Sequence, residues 1–298
     1  MNITVITSSD GDEASSSLAS AENVGKLLSN LGVNVTTVDV GGAGLDSLRF
    51  LKSDIFFPVM HGFPGESGKI QDELARNGHR YIGSSARVSA QCLDKSLAKD
   101  VCRAQGIRVF PEFVCRPRDQ DALVTAFRAS GQREAVVKPV SSGSSIGVNF
   151  CRTVEDIVQA ADGLFNFDWL MMEPFGFGVE VSVAVTVIGG TETALPPIVR
   201  PVHPKLPFDV QILSERESAA KRLPFFEKDI QNEALRVHKA LECRHFSKID
   251  FMLHDSGDLT FIEIDSIPGF SKDSYFFRSL KRKNLDPIDW MRMLINNF

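Results

Sequence analysis

The chain has 298 residues, 43% of them hydrophobic, enough to bury a sizeable core and, by size, to form two or three lobes. Its net charge of -5, with Lys and Arg scattered apart from Lys281-Arg282-Lys283, gives no electrostatic reason to expect nucleic acid; that short run reads as a solvated helix end. Five cysteines without a CxxC pair fit a reduced compartment without structural zinc, and no apolar run is long enough to span a bilayer, so a cytoplasmic protein without a membrane partner is expected.

In chain order, "NITVIT", a helix from about Ser16 to Leu31, "VNVTTVDV" and the apolar strand "DIFFPVMHG" alternate as in mixed α/β construction. They predict a Rossmann-like first lobe over residues 1–89. A second lobe, 90–179, opens with the helical "VSAQCLDKSLAKDVCRAQG", followed by strands in "FPEFVC", "EAVVKPV" and "IGVNFC", a helix in "TVEDIVQAADGLF" and a strand in "WLMMEPF". The third lobe, 180–298, carries "VEVSVAVTVIGG" and a terminal hairpin. Between these, "RPVHPKLPFDVQILSERESAAKRLP" reads as a long loop over a site.

The hairpin is the strongest chemical signal. "SKIDFML" and "LTFIEIDS" flank "HDSGD", and a two-residue turn at Ser256-Gly257 would set Asp250 opposite Glu263 and Lys248 opposite Asp265, all on one face. Directly opposed carboxylates repel, and a divalent cation would turn that repulsion into attraction. Hard oxygen ligands at this density suit magnesium, which completes its shell with phosphate oxygens. A solvated face screened by lysine is the plainer alternative.

In "VVKPVSSGSSIGV", an apolar strand delivers Lys138 to a small-residue loop, Ser141 to Ser145, whose N-H groups and hydroxyls could surround an anion; a simple hairpin turn explains it equally well. No Walker loop or GxGxxG signature is present. "MMEPFGFGVEVSV" offers a glycine-rich hinge for a purine between Glu173 and Glu180, though turns between lobes commonly carry glycine.

Taken in order, Lys95 in "CLDKSLAK", Lys138, "EPFGFGVE", "IDFML" and "EIDSIPG" resemble the ATP-grasp fold. With "EASSSLAS", "HGFPGESGKIQDEL" and "YIGSSARVSAQCLDK" in the first lobe, the chain resembles the D-alanine-D-alanine ligase family over nearly its whole length. The resemblance implies a Rossmann-like lobe plus two α+β lobes enclosing ATP. It also implies an ATP-dependent carboxylate-amine ligase working through an acyl phosphate on small amino-acid substrates, and a homodimer.

By the same resemblance, Lys95, Lys138, Ser144 and Ser145 would hold phosphates, Glu173 would meet the adenine amino group and Glu180 the ribose. Asp250, Glu263 and Asp265 would bind two magnesium ions, with manganese as an alternative. Glu13 would receive the first substrate's ammonium group near His61, while Lys248, Gly269 and Ser274 would face the second substrate's carboxylate or the oxyanion. Read alone, Glu13 also suits a first-turn acid favoured by the helix dipole, and His61 a buried histidine satisfied by backbone.

The chain departs from the family at the substrate end. Lys248 stands where the family has arginine and cannot grip a carboxylate bidentately, and Asp265 stands where it has asparagine; facing each other, the two would form a compensating pair. Neither tyrosine of the chain, Tyr81 or Tyr275, lies in the long loop that normally supplies a lysine-tyrosine pair; Lys205 or Lys221 could replace the lysine. These changes keep open a specialised ligase acting on a different amino acid, or closing a ring as in D-cycloserine formation, and a non-catalytic nucleotide-binding regulator.

Overall fold

The computed structural model describes residues 1–176, 178–200 and 210–298 and builds three sheets from them. In the first, β1 (Asn2–Thr7) pairs in parallel with β2 (Asn34–Asp39) and β3 (Ile55–Pro58), giving the order β2-β1-β3. Parallel strands need crossovers, supplied by α1 (Ala14–Asn30), α2 (Val40–Ala43) and a 3-10 turn over Leu45–Phe50. With α3 (Lys69–Arg76) on the far side, β1 is buried on both faces without a break from Ile3 to Thr7, its two threonines included.

The segment expected as one helix around Lys95 is two, α4 (Ala86–Leu93) and α5 (Lys95–Ala104). Asp94 leaves helical geometry between them and caps the second, its carboxylate accepting from the Leu97 amide at 3.0 Å. Lys95 therefore becomes the first residue of a helix rather than the middle of one. Val88, Cys92, Ala98 and Cys102 turn the buried faces of both helices into the core of the last sheet.

The central sheet is antiparallel, in the order β4-β7-β5-β6, from β4 (Phe113–Cys115), β5 (Ala135–Pro139), β6 (Asn149–Cys151) and β7 (Leu170–Pro174). Helices α6 (Gln120–Ser130) and α7 (Val154–Gly163) cover one face, packing on Ala135, Val137, Leu170 and Met172. The period of two then sends Lys138 and Glu173 to the other face.

The last sheet runs β10-β8-β11-β12, with β9 (Thr191–Ala194) also on β8 (Val179–Ile188); β10 is Ile198–Val199, β11 Phe246–Leu253 and β12 Leu259–Asp265. The expected long loop is corrected here. Residues 201–209 lie outside the described ones, but α8 (Val210–Ala240) begins at Val210 and continues through Pro224. Proline and charge suggest a loop, yet Glu, Ala, Lys and Arg are strong helix formers, and Ile230, Ala234, Val237 and Leu241 bury at helical spacing under this sheet.

The hairpin pairs Asp250 with Glu263 and Lys248 with Asp265, as the sequence predicts, but by a different route. The turn is longer than the expected two residues: Leu253 pairs with Leu259, His254 N donates to Asp258 O, and Gly257 takes a φ of 90°. A bulge between Asp250 and Phe251 then absorbs one residue of β12 and restores the register at the acids. Two offsets of one residue cancel.

Finally α9 (Tyr275–Arg282) and α10 (Pro287–Asn296) close the chain, and Lys281-Arg282-Lys283 does form the end of a helix. Phe270, just before α9, meets the rings of Phe57, Phe246, Phe276 and Trp290 at centroid distances of 5.8, 5.0, 5.2 and 5.9 Å. One continuous core thereby joins the first sheet to the C-terminal helices. All five cysteines are buried thiols, and no helix among the described residues is long and apolar enough to cross a membrane.

Candidate active site

Two cavities meet between the sheets. The first, about 210 Å³, lies between the polar face of the central sheet and the last sheet; Lys95, Lys138, Ser145, Glu173, Glu180 and Glu263 line it together. Lys95, at the start of α5, donates to the Ser142 carbonyl of the serine-glycine loop and lies 3.4 Å from Glu263. Lys138 Nζ is 2.6 Å from Glu173 Oε2, and Lys99, fully buried one helical turn beyond Lys95, contacts Oε1 of the same carboxylate.

Burial, aided by the Lys95 charge, draws Lys138 down to about 8. Burial and the Lys138 charge lower Lys99 as well, while its contact with Glu173 favours the charged form. Glu173 thus sits between two lysine amines at the back of the cavity.

The hairpin acids lie on one face of the last sheet, but among the described residues no three His, Cys, Asp or Glu side chains converge as a ready-made metal cage. Cations stand between them. Asp250, fully buried, accepts from Ser182 Oγ at Oδ1 (2.6 Å) and from Arg200 (2.6 Å) and Lys248 (3.1 Å) at Oδ2. Lys248 also reaches Asp265 at 2.7 Å, the compensating pair expected from the sequence.

Burial disfavours charge on Glu263, but Lys95, Lys248 and Arg200 outweigh it and hold the carboxyl below its usual range. Asp265 goes the other way, raised by burial and by its neighbours Glu263 and Asp250 against the pull of Lys248. Lys95, Lys99, Lys138, Arg200 and Lys248 each already face a carboxylate, so a triphosphate entering here brings negative charge that they do not offset. The donor set fits a magnesium ion that arrives with phosphate oxygens and needs only one or two carboxylates, Glu263 and Asp250 foremost.

The second cavity, about 190 Å³, brings together Glu13, His61, Ser144, Lys248, Gly269 and Ser274. Glu13 precedes α1 but makes no capping bond, so its carboxylate turns across the cavity and accepts from Ser144 Oγ. Gly143 permits that approach, since a Cβ there would sit 2.6 Å from Glu13 Oε1. Ser144 and Ser145 hold φ of 51° and 59°, a left-handed conformation that costs non-glycine residues about 1 kcal/mol each.

His61 Nε2 is 2.9 Å from Ser20 Oγ, and its ring also bonds the Ile267 backbone; burial pushes it down to about 4, so it is neutral at neutral pH. Ser274 caps α9, its hydroxyl accepting from Phe277 N at 3.4 Å.

Four contributors were not singled out from the sequence. Glu66 lies inside the motif "HGFPGESGKIQDEL"; it is buried, accepts from Gly62 N at 2.8 Å, and burial raises it well above the usual carboxylate range. Lys99 is signalled only by its four-residue spacing from Lys95. Arg200 and Tyr275 line both cavities, and nothing local in the sequence brings them together.

Two sheets clasping a lysine-lined cavity above an acidic hairpin define an ATP-grasp enzyme. The family described as D-ala D-ala ligase C-terminus matches residues 110–296. The D-alanine-D-alanine ligase of Halalkalibacterium halodurans is 30% identical over 303 residues, covering 99% of this chain and 98% of that protein. The Coprothermobacter proteolyticus enzyme of the same name is also 30% identical, over 100% and 99%.

In fold, D-alanyl-alanine synthetase A from Vibrio cholerae superposes with a TM-score of 0.85 at 23% identity, covering 100% of this chain and 98% of that one. VanG D-Ala:D-Ser ligase from Enterococcus faecalis gives 0.82 at 23%, over 99% and 98%. The chain belongs to the D-alanine-D-alanine ligase family and is an ATP-dependent ligase that forms a carbon-nitrogen bond.

Proposed function

We propose that this ligase joins two D-amino acids, with D-alanine as the first, in three lobes divided near residues 89 and 179. One observation carries the reading: the lysine-lined cavity and the Glu13 cavity share Gly143, Arg200, Glu263 and Tyr275 as a common wall. A terminal phosphate in the first and a substrate carboxylate in the second would meet there. The cavities supply positioning and charge rather than a protein nucleophile.

In this reading Lys95, Lys138 and the loop serines Ser144 and Ser145 orient the phosphates. Glu173 and Glu180 hold the adenine amino group and the ribose. Asp250, Glu263 and Asp265 would hold two magnesium ions, which would supply electrophilic assistance at the phosphates. Glu13 receives the first ammonium group, with neutral His61 beside it. Lys248, Gly269 and Ser274 face the second substrate, and the Lys248-Asp265 pair leaves that end less cationic than a free lysine would. The enzyme works in the cytoplasm, where ATP and free amino acids are available.

The test is ATP-dependent phosphate release with magnesium and D-alanine, then with a panel of D- and L-amino acids, with mass spectrometry of the products. A D-alanine dimer mass is expected. Silence with D-alanine but turnover with another carboxylate would overturn the substrate and leave the ligase chemistry.

A further inference from the structure

Arg200 stands at the seam of the two cavities, and the sequence gives it no role beyond opening the expected long loop. Its amide donates to the Glu180 carbonyl at 2.9 Å, extending the β10-β8 ladder by one residue and fixing where its side chain starts. The guanidinium then crosses the acidic face: Nη1 is 2.6 Å from Asp250 Oδ2 and 3.9 Å from Glu263 Oε1, and Nε is 3.8 Å from Glu180 Oε2. Its Cζ lies 5.7 Å from the Tyr275 ring centroid.

Three carboxylates from three strands thus share one cation on one side of the hairpin. Lys248 screens the other side, at Asp250 and Asp265. A guanidinium cannot deprotonate, is weakly hydrated and presents several donors at once, so it neutralises such a site at any working pH. A divalent cation approaching Asp250 must compete with it for Oδ2.

We propose that Arg200 is an internal counter-cation that withholds Asp250 from divalent metal until nucleotide phosphates draw the guanidinium away. Phosphate oxygens in the adjoining cavity offer the fork an alternative anionic partner of matching geometry. Asp250 is released as the phosphates arrive, so metal and nucleotide enter as one unit. Arg200 is then a positioning residue for the metal and a contact for the phosphates. The inference rests on the ATP-ligase reading given above.

The test is Mn²⁺ binding to the full chain, followed by electron paramagnetic resonance of free Mn²⁺, for the parent, Arg200→Met, Arg200→Gln, Arg200→Lys and the double variant Arg200→Met/Asp250→Asn. Without nucleotide, Arg200→Met and Arg200→Gln should bind Mn²⁺ at least about tenfold more tightly than the parent, because the competing charge is gone. Arg200→Lys should stay near the parent, and Asp250→Asn should cancel the gain. With a non-hydrolysable ATP analogue, the parent should approach Arg200→Met to within about threefold.

Equal Mn²⁺ affinity of the parent and both neutral variants without nucleotide overturns the inference, as does a gain that survives Asp250→Asn. Arg200→Met keeps the apolar stem against Tyr275, so it serves if Arg200→Gln fails to fold, and thermal unfolding without metal verifies each variant. A parent that releases no phosphate with any amino acid, beside an intact Mn²⁺ difference, would sink the functional reading and leave the Arg200 inference standing. Phosphate release beside equal Mn²⁺ affinities would do the reverse.

Discussion

The central sheet rests on a core of its own, whereas the first and last sheets are fused into one body. Among the described residues, Cys115, Leu123, Phe127, Ile157 and Met172 cluster with residues of the central segment, while Ile3 of β1 and Val24 of α1 share a core with Phe246, Phe270 and Trp290. By packing there are therefore two units, and the site is the seam between them. Lys138, Glu173 and the serine-glycine loop ride on the central unit; the hairpin acids, Glu13 and His61 belong to the body.

Substitutions on either side of the seam separate these contributions. The largest effect is expected in the body: Glu263→Gln should lower phosphate release by about a thousandfold while leaving the unfolding midpoint nearly unchanged, because it removes a carboxylate that would hold the magnesium ion offsetting the phosphate charge. Full activity in that variant would mean that the hairpin face does not handle phosphate at all. On the central unit, Lys138→Met should raise the KM for ATP by about a hundredfold, and across the seam, on α5 of the body, Lys99→Met should raise it by about tenfold, since each leaves Glu173 with a single lysine partner. Equal effects on kcat and none on KM would place these lysines in chemistry instead of nucleotide binding.

The bridge itself is weaker. Ser144→Ala removes the hydroxyl that the loop extends to Glu13 and should raise the amino-acid KM by about three- to tenfold. No change would show that the loop and Glu13 act independently.

The smallest effect distinguishes the two units by pH. All six histidines of the chain lie outside residues 90–179. Burial pushes His61 and His238 of the body down to about 4, against an ordinary value of 6.5. Between those values the unfolded chain binds more protons than the folded one, so their stabilisation is complete above 6.5 and is lost as pH falls toward 4. Asp265 and Glu66 of the same body, raised by burial, gain protons on folding as pH falls and oppose the histidines; hydrogen exchange reads the balance, with body amides expected to lose protection over that window before the central ones do. Equal loss in both units would remove the distinction.

How far the sequence could be read follows the same division between local and long-range contacts. The acid pair at Asp250 and Glu263 was legible because alternation and pairing are properties of two neighbouring strands, although the turn and the bulge were misjudged in compensating directions. Lys138 and Glu173 were legible through the order of motifs shared with the family, since each stretch alone reads equally well as an ordinary strand end or turn. Arg200 was not, because its partners sit on three other strands brought together only by the finished sheet. α8 was missed because Pro224 and dense charge hide a helix whose apolar stripe becomes regular only after Leu223. The burial of Glu66 was equally invisible, since its motif reports composition and not depth.

The bulge after Asp250 bears on mechanics as well as register. Past it, Phe261 N donates to Arg108 O at 2.8 Å, and Val109 bridges Phe261, tying one chain into the central unit to the hairpin. The other chain leaves through Gly176, where an added Cβ would run into the Phe110 ring. The two crossings touch, so the central unit joins the body at one place rather than two. Ala135 pairs with Pro174 beside that place, and β5 carries the chain away from it to Pro139 and the serine-glycine loop. By leverage alone, any displacement of the central unit about that place would be larger at Ser144 than at Ala135.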